Sequence, residues 1–191
     1  GGTGNFAKIT TEPKIVEIKE KQSSHINIFS GISEINMKYK DAVAKAMENL
    51  AGDERVVFLG YNVRHGSAYG TLSKVDESQR LETPLAENLM IGLGMGMSLE
   101  GFKPVVFFER HDFIFNAIDG IVNHLDKISV LSDNQFSMPV IIKTVVGAKK
   151  PLYSGITHTQ DHTQALKLLV HFPVYEPKTS MEVLNAYQQA F

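Results

Sequence analysis

From Asn36 to the C-terminus the apolar positions of this chain fall into alternating helical and strand-like runs. Met37, Tyr39, Ala42, Val43, Ala46, Met47 and Leu50 recur at helical spacing, and Gly52 closes the run. Arg55–Gly60 is a short apolar strand that ends in a turn. Thr83–Leu99 predicts a helix, with Thr83 as its N-cap and Pro84 at its first position. Its apolar residues fall on nearly every face, which predicts burial all round. Gly101 ends it, and Lys103–Phe108 is the next strand. Phe113–Leu131 predicts a second apolar helix. Met138–Val146 is a continuous apolar strand, as expected where both faces of a sheet are covered. A helix over Asp161–Val170, a strand near Val174 and a helix over Ser180–Phe191 complete the pattern. Helix and strand in alternation predict an α/β fold, with a mostly parallel sheet sandwiched by helices.

Two stretches break the alternation. Residues 1–33 hold no sustained period. Glu12–Lys21 has some strand character, but Gln22-Ser23-Ser24 behind it favours a linker or flexible lead. A single domain is therefore expected over 34–191. Residues 61–82 are rich in glycine, serine and charge and predict a long surface loop, of a length that points to function.

Charge narrows the partners. With 19 Lys and Arg against 21 Asp and Glu the net charge is −2, which gives no electrostatic case for nucleic acid or an anionic membrane. The chain has no cysteine, so disulfides, a thiolate nucleophile and cysteine metal sites are excluded, and a cytoplasmic protein is expected. The apolar Thr83 segment carries Glu87, Asn88, Gly92, Gly94 and Gly96 and is no membrane span. No Walker loop, Gly-x-Ser-x-Gly elbow, His-Glu-x-x-His or metal-spaced acid cluster occurs, so no metal ligands are expected.

Glu87 is the one charged residue between Glu82 and Glu100. A carboxylate among apolar side chains is costly unless something pairs with it. It is either a working acid or an acid favoured by the helix dipole and partly solvated. Gly92, Gly94 and Gly96 lie inside the helix, so they are no dinucleotide fingerprint; Gly92 and Gly96 share a face and suit close helix packing. Glu109, Arg110, His111 and Phe113 follow a strand directly, where ligands bind in open α/β sheets. Phe113 and Phe115 equally predict core anchors of the following helix. His158 lies in a glycine-containing loop at the same edge.

Three segments converge on a family. Thr83-Pro84-Leu85-Ala86-Glu87, Gly101-Phe102-Lys103-Pro104-Val105-Val106 and Asp112-Phe113-Ile114-Phe115-Asn116-Ala117-Ile118-Asp119 resemble the pyrimidine-binding domain of thiamine diphosphate enzymes, nearest to the beta subunits of 2-oxo acid dehydrogenases. Gly155-Ile156-Thr157-His158 resembles the Gly-Pro-Thr-His of transketolases. The resemblance runs from about Asn36 to the end. It implies the thiamine diphosphate-binding fold of the pyrimidine-domain type.

The resemblance also implies roles. Glu87 and His158 would be catalytic, and Glu87, Phe113 and Asn116 would hold the cofactor, thiamine diphosphate. Glu87 would hydrogen-bond N1′ of the aminopyrimidine and favour the tautomer that takes the C2 proton to give the ylide. Phe113 would pack on the pyrimidine, and His158 would approach the thiazolium and substrate as proton donor or orienter. The diphosphate and its magnesium need a Gly-Asp-Gly run with a later Asn, which this sequence lacks; Asp119-Gly120 has no preceding glycine. A diphosphate-binding domain or subunit is expected to supply them, the chain being a segment of a longer enzyme or a subunit that is inactive alone. A 2-oxo acid or ketose substrate and a homodimer through the Gly92/Gly96 helix are expected. Tyr61 stands where the beta subunits carry an acid, and Arg110 and His111 where small or aromatic residues are usual, which implies an altered substrate end. The alternative is a non-catalytic transketolase-like module for assembly or regulation.

Overall fold

The computed structural model describes residues 14–19, 37–67 and 69–191. Its strands are β1 (Lys14–Lys19), β2 (Val56–Gly60), β3 (Arg80–Glu82), β4 (Lys103–Phe107), β5 (Ile141–Val146) and β6 (Val174–Tyr175). They form one parallel sheet in the order β3-β2-β4-β5-β1-β6. Alternation along the strands divides the core in two. Val56, Phe58, Val105, Phe107 and Ile141 meet Ala42, Val43 and Met47 of α1 (Tyr39–Leu50) and Val183 and Tyr187 of α5 (Ser180–Ala190). Leu59, Val106, Phe108 and Ile142 meet Met90 and Ile91 of α2 (Glu87–Leu99) and the helical stretch beyond β4. Short helices α3 (Ile128–Leu131) and α4 (Thr163–Leu169) complete the covering layers. This is the helix-sandwiched parallel α/β fold that the alternation predicts.

Four local expectations are corrected. First, Lys14–Lys19 is a strand within the sheet, not part of a linker: it pairs with β5 along its whole length and with β6 at Ile15 and Val16. Its partners lie far downstream, so no local pattern marks it. The rest of the 1–33 lead lies outside the described residues. Second, the 61–82 segment is more than a surface loop. Val63, Leu72 and Val75 are buried in the core beside α1, and the segment ends in β3. The Glu82 carboxylate accepts from the amides of Asn62 and Arg64 at 2.6 and 2.9 Å, which folds the segment back on itself.

Third, α2 begins at Glu87, not Thr83. The Thr83 amide donates to the Gly60 carbonyl at 3.0 Å and so continues the strand ladder rather than capping a helix. Nor is α2 buried all round: Leu85, just before it, and Leu89 and Leu99 are exposed. Gly94 is the glycine that allows close packing, since a Cβ there would fall 2.9 Å from Val106 Cγ2, whereas Gly92 and Gly96 face open space. Fourth, Phe113–Leu131 is not one α-helix. A 3-10 helix over His111–Ala117 leads into a π-helical run over Gly120–Leu125 and then α3. Gly120 brings this run against Ile91, with room for almost no side chain.

Candidate active site

The candidate residues gather at the carboxyl ends of β4 and β5, where open α/β sheets place their ligands. Glu87 opens α2 and is 7% exposed. Its Oε2 accepts from Asn116 Nδ2 at 3.2 Å, the one hydrogen bond to this carboxylate among the described residues. The start of the helix also favours an anion there. Glu87 is thus an enclosed acid at the first turn of its helix rather than a partly solvated one.

The 3-10 helix supplies the rest by its period. Three residues per turn put positions i and i+3 on one side. His111, Ile114 and Ala117 make the buried row. Phe113 and Asn116 make the neighbouring row, so an aromatic ring and the amide that meets Glu87 project side by side. Ile114 is thus the core anchor, while Phe113 is half-buried and Phe115 exposed, against the expectation that the two phenylalanines anchor the helix. The His158 ring meets Phe113 edge to face, with centroids 5.2 Å apart and planes at 85°. Its Nδ1 lies 3.0 Å from the Thr157 hydroxyl. Glu87 and His158 share no hydrogen bond or ring contact among the described residues; the Phe113–Asn116 row joins the two halves.

Two further residues pin the loop around His158, and the sequence reading gave neither a role of its own. Asp112 Oδ1 accepts from the amide and the Nε2 of Gln160, at 3.3 and 2.9 Å. Gly147 ends β5, and a Cβ there would fall 1.9 Å from the His158 carbonyl oxygen. A glycine directly after a continuous apolar strand was the available signal for such a close approach. His111 belongs to the buried row, its ring 5.7 Å from that of His162. Arg110 donates to the Tyr69 hydroxyl and, at 3.2 Å, to the Glu109 carbonyl. Tyr61 is exposed and lines a small depression with Tyr69, Glu109 and Lys143. Among the described residues no cluster of His, Asp or Glu is arranged to hold a metal ion, and no helix is long and apolar enough to cross a membrane.

Residues 35–191 match the family described as transketolase, pyrimidine binding domain. The 2-oxoisovalerate dehydrogenase subunit beta of Bacillus subtilis (strain 168) is 29% identical over 154 residues, covering 74% of this chain and 46% of that protein. The mitochondrial pyruvate dehydrogenase E1 component subunit beta-2 of Oryza sativa subsp. japonica is 30% identical over 148 residues, 71% of this chain and 39% of that protein. The chain thus spans less than half the length of these relatives. A solved structure described as "Split gene transketolase, inactive beta4 tetramer" aligns with a TM-score of 0.41 at 11% identity, over 80% of this chain and 97% of that one.

Proposed function

This chain belongs to the transketolase pyrimidine-binding domain family, and we propose that it is the pyrimidine-binding half of a thiamine diphosphate-dependent enzyme acting on a small 2-oxo acid. Its fold is the family's thiamine diphosphate-binding fold of the pyrimidine-domain type. The observation that carries the proposal is the Asn116–Glu87 hydrogen bond beside the half-buried Phe113 ring. That set fits an aminopyrimidine: an enclosed carboxylate with one oxygen left to accept, next to an aromatic face. When bound, the cofactor supplies the electron sink for cleavage beside a carbonyl. Glu87 would share a proton with the ring nitrogen N1′, accepting from N1′–H when that nitrogen is protonated; Asn116 would fix the carboxylate through Oε2, and Phe113 would exclude water from the ring. His158, with Nδ1 engaged by Thr157, would have Nε2 left to act on the substrate as proton donor or orienter. The diphosphate and magnesium fall to another domain or subunit. A 2-oxo acid is favoured over a ketose because the named relatives are 2-oxo acid dehydrogenase subunits.

Titration of the isolated chain with thiamine diphosphate tests this reading. Binding should be weak, with a Kd above about 100 μM, because most of the affinity resides in the diphosphate and magnesium contacts. NMR shifts should nevertheless map to Phe113 and Asn116. Shifts confined to other surfaces would place the site elsewhere, and submicromolar binding would require a phosphate site within this chain.

A homodimer through α2 is part of the proposal. The outward face carries Leu85, Leu89 and Leu99, with Gly92 and Gly96 open between them. A two-fold contact buries the same patch on both copies, and the glycines let the backbones approach. Gly96→Leu should convert the dimer to monomer. Nothing within the chain lies within 4 Å of a Cβ at this position, and leucine favours a helix over glycine, so the monomer itself should not lose stability. Light scattering on both proteins measures it, and a variant that dimerises as tightly as the wild type would remove α2 from the interface.

A further inference from the structure

The connection from β5 to β6, residues 147–173, carries His158 in a turn without a core anchor. The turn is a short 3-10 helix over Ile156–His158 that buries no residue, and Ile156 is exposed. A segment with few buried apolar contacts takes its place from the elements beside it. The turn closes on itself at Gly155, whose carbonyl accepts from the His158 amide at 3.2 Å and from the Thr159 hydroxyl at 3.1 Å. Gly155 has φ 101°, in the region that favours glycine. Gly147 seats the His158 carbonyl close to the end of β5. Those contacts shape the turn and set its distance from the sheet. They do not tie it to Phe113 and Asn116.

That tie runs along the 3-10 helix over His111–Ala117. Phe115 meets His162 edge to face, with centroids 4.6 Å apart, much as Phe113 meets His158. Ring pairs tolerate a wide range of centroid separations, roughly 4.5–7 Å, so they place a side chain loosely. Hydrogen bonds are directional, and Asp112 supplies them. Its Oδ1 accepts from both the backbone amide and the side-chain amide of Gln160, at 3.3 and 2.9 Å. Asp112 Oδ2 is buried and has no hydrogen-bond partner among the described residues, so the grip passes through Oδ1. One bond to the main chain and one to the side chain of the same residue fix both its place and its direction. Asp112 directly precedes Phe113, and Gln160 follows His158 closely. The clasp therefore sets the His158 imidazole against the Phe113 ring.

We propose that Asp112 is a positioning residue for the reaction, acting through Gln160 to hold the His158 imidazole where it meets the substrate. The catalytic half rests on the role given to His158 above; the clasp does not, and the two are read separately. NMR on the whole chain reads the clasp. The Phe113 ring current should displace the His158 imidazole resonances, measured against a Phe113→Leu variant. Asp112→Ala should lose most of that displacement, and Gln160→Ala should move the resonances the same way. Gln160 is exposed, so its truncation leaves the core intact. Asp112→Asn keeps an acceptor oxygen for Gln160 and should restore the displacement. Resonances unmoved by either alanine, or no recovery in Asp112→Asn, would overturn the clasp. In the assembled enzyme Asp112→Ala should lower kcat by about 10²-fold, the cost of misplacing a reacting group by about 1 Å, with Asp112→Asn near wild type. In a His158→Ala background the same Asp112→Ala change should cost nothing further, because a positioning residue acts only through the group it places. A further loss there would make Asp112 a general support of the fold and overturn the positioning role. His158→Ala at full wild-type kcat would instead remove the role given to His158, and the catalytic half with it, while the resonances still decide the clasp.

Discussion

Glu87→Gln is expected to slow exchange of the thiamine diphosphate C2 proton by about 10²–10⁴-fold in the assembled enzyme, the range ascribed to a positioned acid or base, while leaving the fold intact. Glutamine has the size of glutamate and can still accept from Asn116. It cannot take a share of a proton at N1′. The stability side nearly cancels. The substitution removes a charge from a position only 7% exposed, which relieves desolvation. It also forfeits a first-turn interaction with the helix dipole, worth about 0.3–1 kcal/mol. Calorimetry should therefore find the variant within about 1 kcal/mol of wild type, and C2 hydrogen–deuterium exchange should separate them sharply. A variant exchanging at the wild-type rate would remove Glu87 from the chemistry, and a variant that unfolds would make the residue structural.

What the sequence revealed and concealed divides along the range of the interactions. β2, β4, α1 and α5 carry their own periodicity and are visible in it, because each buries one face locally against the next element. The Glu87 and Phe113 motifs were legible because a run of residue types at fixed spacing marks them. Their meeting was not: the Glu87–Asn116 bond depends on a 3-10 helix that places Phe113 and Asn116 in one row, whereas the apolar content of 113–131 suggested an ordinary α-helix. The outward face of α2 was hidden for a related reason. Leu89 and Leu99 look like core residues in the sequence, and only the packing shows which side meets β4. β1 was the hardest to find, since a charged six-residue strand gains its place from partners at Ile141 and Val174, well over a hundred residues away.

The largest stability effect is expected at Asp126, where Asp126→Asn should cost about 2–3 kcal/mol at pH 7, the scale of hydrogen bonds to a charged group. For a chain of this size that lowers Tm by roughly 5–10 °C. The carboxylate is 1% exposed and accepts from the His171 amide at 2.7 Å, from His171 Nδ1 at 2.8 Å and from Lys127. Asparagine keeps one acceptor and turns an amide donor toward groups that donate themselves. Burial alone would push the Asp126 carboxyl up; the His171 ring, Lys127 and the His171 amide outweigh it and hold the group below the usual carboxylate range. A carboxyl depressed by folding stabilises the native state above its unfolded value of about 3.9, and that contribution is lost as pH falls through the lower folded value. Asp53 is depressed as well, by the Arg55 guanidinium beside it, so it titrates in the same acid region in both proteins. The difference between wild type and Asp126→Asn is therefore the informative quantity. Denaturant unfolding should show the full gap from pH 7 down to about pH 4, narrowing below it. Equal stability at pH 7, or a gap that stays constant into the acid region, would show that the Asp126 charge is not what fastens the end of the His158-bearing connection to the helical layer.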